Sequence, residues 1–195
     1  MPDYTAIFSV GNSLAQYLQN NYPPDLNKAF PCKFQLVSSA DIAGEDKTAL
    51  DQVLSIFLHR ITTNENFRGA TRIQDVANRE PVLFLDLHYL ITYWGASAQA
   101  EHTILGWTMT QLQSMPILDS SVLSTDAGWS VSDSIQLVPA DLSLEDILRI
   151  WDALGPKYRL SVCYLARVVR IDRALQPGTL VQATRFTFTD AGAAR

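Results

Sequence analysis

Three groups of residues have the types and spacing to do chemistry. Gly11-Asn12-Ser13-Leu14-Ala15 is one residue away from the G-x-S-x-G elbow, which presents a serine nucleophile above a sheet for a histidine to deprotonate. That elbow must follow a central strand, and here no strand precedes it and the flanking pattern is helical, so Ser13 reads as a polar-face helix residue. Asp86 and His88 share strand parity, with His59 on an expected neighbouring strand, an arrangement able to poise a general base or hold a metal. The chain has only 3 histidines and no Cys or Glu at ligand spacing nearby, which favours cross-strand pairing or a subunit contact. His102, beside Glu101 at a helix start, reads as a surface residue. Arg68, Arg72 and Arg79 are spaced to meet phosphates, yet Glu65, Asp75 and Glu80 interleave with them, as in a solvated or protein-binding loop.

Cofactor chemistry has no cradle in this sequence. Neither a G-x-G-x-x-G after a strand nor a G-x-x-x-x-G-K-[ST] occurs, and Cys32 and Cys163 lie too far apart in sequence to form a zinc or redox pair. No catalytic, cofactor-binding or metal residue is therefore expected. Fifteen Lys and Arg against 20 Asp and Glu leave a net charge of -5, which disfavours nucleic acid as a partner. The longest apolar stretch, Val82 to Trp94, is interrupted by Asp86 and His88 and falls short of the ~20 residues of a spanning helix. With no basic, apolar leader after Met1, synthesis and folding in the cytoplasm are expected, without membrane insertion.

The elements that would position these residues follow from periodicity. Ile7, Val10, Leu14, Tyr17 and Leu18 predict a helix over 4–20, with Asp3 as its N-cap and Tyr22-Pro23-Pro24 as its end. Phe34 to Val37 predicts a short strand, Asp41 to Lys47 a loop, and Gln52 to Thr62 an interior strand. Asn64 to Glu80 reads as an exposed excursion. Val82 to Trp94 is the strongest strand: Leu83, Leu85, Leu87, Tyr89, Ile91 and Tyr93 form one apolar face, and Asp86, His88 and Trp94 belong to a mixed second face that hints at a partner. Ala98 to Met115 predicts a second helix, and Ser143 caps a third that ends at Gly155-Pro156. Tyr158 to Ile171 is a strand with Leu160, Val162, Tyr164, Ala166 and Val168 on one face. A further strand is expected at Thr179 to Thr189. Strands and helices mix without a βαβ period, so the expected class is α+β, a largely antiparallel sheet with helices packed on one face.

Three stretches carry a likeness: Asp86-Leu87-His88-Tyr89-Leu90-Ile91-Thr92-Tyr93-Trp94-Gly95, then Leu142 to Trp151, then Tyr158-Arg159-Leu160-Ser161-Val162-Cys163-Tyr164. Together they resemble the tail-terminator or cap proteins of extracellular contractile injection systems, the group that includes antifeeding prophage and the Photorhabdus virulence cassettes. The likeness covers roughly residues 4–172. It implies a phage tail-terminator-like fold, a six-membered ring, and docking onto the last layer of inner tube and sheath, with no catalytic residues. Members often carry a longer C-terminal extension than the 173–195 found here.

The resulting expectation is a structural cap, with residues 1–172 as the terminator-like domain and 173–195 as an arm, assembled in the cytoplasm and retained in the particle. Its contacts are expected from Asp86, His88 and Trp94, from Arg68, Arg72 and Arg79, and from Thr179, Val181, Phe186 and Phe188, which supply an edge strand for sharing with the sheath. Two alternatives differ in class. One is an assembly adaptor or chaperone for tail subunits, absent from finished particles; the other is a small serine hydrolase using Ser13.

Overall fold

The computed structural model describes residues 2–44, 50–64, 83–124 and 127–171. Its organising element is the strand β3 (Leu83–Trp94), whose alternating large apolar side chains require cover on one face. Antiparallel neighbours flank it, β2 (Val53–Thr63) on one side and β6 (Ser161–Ile171) on the other. β1 (Lys33–Val37) pairs with β2 in parallel, while β5 (Ile135–Ala140) and β4 (Ile117–Leu118) continue antiparallel beyond β6. The described strands thus form one sheet in the order β1-β2-β3-β6-β5-β4, an α+β arrangement with a single parallel pair.

Two 16-residue helices cover the apolar face, α1 (Ala6–Asn21) and α4 (Ala98–Gln113). α1 starts after an Asp3 turn in which the carboxylate accepts from the Thr5 N–H at 2.8 Å, and it stops at Tyr22 because Pro23 and Pro24 follow. Leu14 and Leu18 of α1 and Ile104 and Leu112 of α4 pack with Leu54, Ile56, Leu87, Tyr89 and Ile91 into the larger core. Gly11 of α1 faces Leu36 of β1 and Tyr89 of β3. A Cβ there would come within 2.6 Å of Leu36 Cδ1 and 3.4 Å of the Tyr89 hydroxyl, so a side chain would force Leu36 to shift.

The helices are not confined to that face. α5 (Leu144–Leu154) and the short α3 (Ser39–Ala43) contribute Trp151, Leu154 and Ile42 to a second, smaller core with Val37, Val53, Leu90 and Cys163. α3 occupies part of the segment expected as a loop, and its polarity is misleading because it serves a cap: Ser38 and Asp41 form a reciprocal capping box. A one-turn helix α2 (Pro24–Ala29), begun by its proline, was likewise not legible as an element. At the outer edge, β2 is the strand partner of β1 among the described residues, and Gln19 Oε1 of α1 accepts from the outward Phe34 N–H at 3.2 Å.

Strand parity breaks in β6. Leu85 faces Val169 and Leu87 faces Ala166, so Arg167 and Val168 together oppose Asp86 in a bulge, with Val168 at φ 64°. Beyond it, Val169 and Ile171 join Tyr164 and Ala166 in the larger core, on the opposite face from that expected by simple alternation.

Candidate functional site

The three sequence blocks that carried the likeness converge on the second face. Trp94 ends β3, Trp151 lies in α5, Ser161 opens β6 and Arg159 lies two residues before it. Under them run Ser55, Thr92 and Ser161, facing each other across β2, β3 and β6. The Ser161 hydroxyl donates to the Arg159 carbonyl at 2.9 Å, so the Thr92 hydroxyl donates to Ser161 Oγ at 2.8 Å, and Trp151 Nε1 donates to the same oxygen at 3.3 Å. Ser55 donates to the Thr92 carbonyl at 3.1 Å and accepts from Trp94 Nε1 at 2.8 Å. Both indole N–H groups are therefore satisfied by a row of small hydroxyls that the sheet itself holds in register.

Arg159 closes the top of this seam. Its guanidinium carbon lies 4.9 Å from the Trp94 ring centroid and its Nη1 donates to the Gly95 carbonyl at 3.2 Å, while the Trp94 and Trp151 rings sit 5.8 Å apart. Gly95 allows the turn because any Cβ would strike the Tyr93 ring at 2.5 Å. Past Trp94 an open groove runs between Leu50 and Asp51, the Gly95 to Ala98 turn, and the Lys157 to Leu160 segment. Tyr158, Leu160, Leu144 and Leu148 remain substantially exposed nearby in sequence. The seam was missed from sequence because its parts lie tens of residues apart; the recurrence of tryptophan and small hydroxyls within the three blocks was the available signal.

The other half of the second face holds the histidines. His59 is the unpaired residue of a bulge in β2, and its ring stands 6.0 Å from that of His88, whose Nε2 shares a hydrogen bond with Thr62 Oγ1 at 3.0 Å. Burial, His88 and Arg60 push the His59 pKa down to about 4, and burial and Arg60 lower that of His88 although Asp86 opposes them. Asp86 does not complete a ligand set: its carboxylate accepts from Asn64 Nδ2 at 2.9 Å and from the Val168 N–H at 3.1 Å, pinning the β6 bulge. No cluster of three or more potential metal ligands occurs among the described residues.

Ser13 has a structural task. It is fully buried, which corrects the polar-face reading, and its Oγ accepts from the Ser124 N–H at 2.9 Å. Ser9 Oγ bonds to Ser124 Oγ at 2.8 Å and accepts from Trp129 Nε1 at 2.9 Å, so the two serines fasten the segment after β4 onto α1. A buried helical hydroxyl committed to an amide is not placed as a nucleophile. Burial raises the Cys32 thiol to about 12 and the Cys163 thiol to about 11, and both are free. Arg68, Arg72, Arg79, Thr179, Val181, Phe186 and Phe188 lie outside the described residues, as do the excursion beyond Asn64 and the expected strand at Thr179 to Thr189. No described helix is long and apolar enough to cross a membrane.

The described residues form an α+β fold in which Ser55, Thr92 and Ser161 hold an internal seam and Asp86 pins a bulge. The sequence matches the family model of the Pvc16 N-terminal domain over residues 9–183, and the chain belongs to that family. The fold is similar to that of the PVC sheath/tube terminator of an extracellular contractile injection system in its extended state, with a TM-score of 0.53 and 18% identity over 95% of this chain. It is also similar to the tube-terminating cap of the anti-feeding prophage, with a TM-score of 0.55 and 16% identity over 92% of this chain. This chain spans 65% and 60% of those two chains. No curated protein sequence matches it significantly.

Proposed function

We propose that this protein is a non-enzymatic cap that ends the inner tube and sheath of a contractile injection system. The observation carrying this reading is the Pvc16 N-terminal domain match over residues 9–183, with terminator folds aligned over nearly the whole chain in support. A tube stops growing when its last ring offers a face that the next ring does not fit. A cap needs one surface complementary to the tube end and another that refuses it, and it needs no cleft.

In this reading the chain forms a six-membered ring, assembled in the cytoplasm and kept in the particle. Residues 1–172 act as the docking domain and 173–195 as an arm whose Thr179 to Thr189 segment shares a strand with the sheath. Asp86, His88 and Trp94, on the sheet face turned away from α1 and α4, contribute to the docking domain's contacts together with Arg68, Arg72 and Arg79. Electron microscopy of particles from a gene deletion tests the cap, with overlong tubes or prematurely contracted sheaths expected. Particles of normal length and sheath retention in the deletion overturn it. Mass spectrometry should find the chain in purified wild-type particles, since an assembly adaptor would be absent from them. Truncation after Asp172 is expected to preserve tube docking and weaken sheath retention.

A further inference from the structure

Bulges in β2 and β6 treat charge differently. The β6 bulge consumes its charged neighbour, since Asp86 accepts from the Val168 N–H at 3.1 Å and from Asn64 Nδ2 at 2.9 Å. The β2 bulge collects charge instead. Leu58 faces Tyr89 and Arg60 faces His88, so His59 is the extra residue, and it and Arg60 together oppose His88. The His59 and His88 rings stand 6.0 Å apart, and Arg60 lies close enough to both to disfavour their protonation. A bulge gives up ladder pairing to re-aim a side chain, and this one brings a guanidinium up to two imidazoles.

The surrounding elements do not answer that positive charge. On β2, Thr62 is neutral and shares a hydrogen bond with His88 Nε2. On β3, Asp86 favours a protonated His88, but its carboxylate is the one already engaged by Asn64 and Val168. On β6, Leu165 lies opposite His88, and the charged residues farther along, Arg167 and Arg170, are also basic. Among the described residues the exposed Arg60 side chain makes no ion pair. α3 and α5 pack over Val37, Val53, Leu90 and Cys163, and His59, Arg60 and His88 do not belong to the core they cover. Three nitrogen-bearing groups thus stand together, half-buried or exposed, on a chain whose net charge is -5.

We infer that His59, Arg60 and His88 form a docking point for a carboxylate carried by an acidic segment of a partner protein. Charge selects this occupant. A carboxylate accepts from a guanidinium and from imidazolium N–H groups in short, charge-assisted hydrogen bonds. A nucleic acid would meet the repulsion of the whole acidic chain, whereas one or two carboxylates on a protein respond mainly to positive groups within a Debye length. The inference rests on the docking role proposed for this face, names the partner's chemistry there, and can be tested without tube or sheath.

Protons are linked to this contact. A carboxylate seated beside the imidazoles favours their charged forms, so binding raises the His59 pKa above its value of about 4 in the free protein. Binding therefore takes up protons, and affinity climbs as the pH falls from neutral toward 5.

The probe is a peptide of about ten glutamates, still largely ionised at about pH 5, followed through the imidazole NMR signals of the full chain. It should move the His59 and His88 signals with a Kd near 1 mM at about pH 7, and bind at least about threefold more tightly at about pH 5. A glutamine peptide of the same length should leave them in place. Arg60→Gln separates docking from structure because it acts in two directions. It should raise both imidazole pKa values in the free protein by removing repulsion, yet weaken the glutamate peptide at least about threefold, with Tm unchanged to within about 2 °C. Unmoved imidazoles at about 10 mM peptide, a pH-independent affinity, or an Arg60→Gln protein that binds as the wild type does overturns the inference. Inorganic phosphate that moves the signals as strongly as the peptide also overturns it, by assigning the cluster to small anions. A silent peptide titration sinks this docking point alone; normal particles in the gene deletion sink the cap reading alone.

Discussion

The two faces of the sheet are stabilised by different means. On the α1–α4 side, Leu14, Leu18, Ile104 and Leu112 meet Leu54, Leu87 and Ile91 with few polar groups between, so the fold there depends on volume and hydrophobic area. On the α5 side, two indoles are held by Ser55, Thr92 and Ser161, and the fold depends on hydroxyls at fixed positions. A volume-filled face tolerates exchange among similar side chains, whereas a face tied by hydrogen bonds does not tolerate loss of one oxygen.

The largest expected effect is at Trp151, which is 1% exposed. Trp151→Ala should cost about 3–5 kcal/mol in urea unfolding; a loss under about 1 kcal/mol would mean that the indole is not the lid of the seam. The sharper comparison pairs two conservative changes. Ser161→Ala should cost about 1–3 kcal/mol because it leaves the Trp151 N–H and the Thr92 hydroxyl without their acceptor, while Leu14→Met on the opposite face should cost less than about 1.5 kcal/mol. A reversed order would erase the distinction between the faces.

Acid should act on the α5 side first. The His59 pKa falls from 6.5 in the unfolded chain to about 4 in the fold, so the unfolded state takes up the proton first. The neutral imidazole is compatible with full stability above pH 6.5, stability is lost as the pH falls from there toward 4, and no further loss from this group follows below. Since the ring is partly exposed, the loss is on the order of 1–2 kcal/mol after solvent screening. Denaturant midpoints at pH 7.5 and 4.5, compared between wild type and His59→Gln, isolate it; equal pH dependence in both would rule His59 out. The smallest effect is at Val168, a β-branched residue at φ 64°. Val168→Gly should gain about 0.5 kcal/mol by relieving the left-handed conformation, and a loss would mean that the valine side chain supplies more than the backbone costs.

The sequence made the α1–α4 face legible and the other only in part. Periodicity found α1, β2, β3 and α4 within a few residues, and the alternation of Leu85, Leu87, Tyr89, Ile91 and Tyr93 named the larger core directly. Ser143 and Gly155 likewise bracketed α5, the first by accepting from the Asp146 N–H at 3.1 Å. What escaped was non-local. The bulge at Arg167 and Val168 shifts parity by one, and Asp86, its pin, lies in another strand. Ser13 looked like a surface residue because its partner at Ser124 is contributed from beyond β4. Trp94, Trp151 and Ser161 could be recognised as familiar blocks, but no local rule joins them into one seam.

The bond between Gln19 and the Phe34 N–H bears on a hazard of crowded assembly rather than on the fold. In the capping role proposed above, subunits would collect at high local concentration, and an unguarded sheet edge at β1 would invite stacking into fibres. The amide occupies an outward donor of that edge with a side chain from the same molecule. Any strand adding there must first displace Gln19, so accidental pairing at this edge is disfavoured.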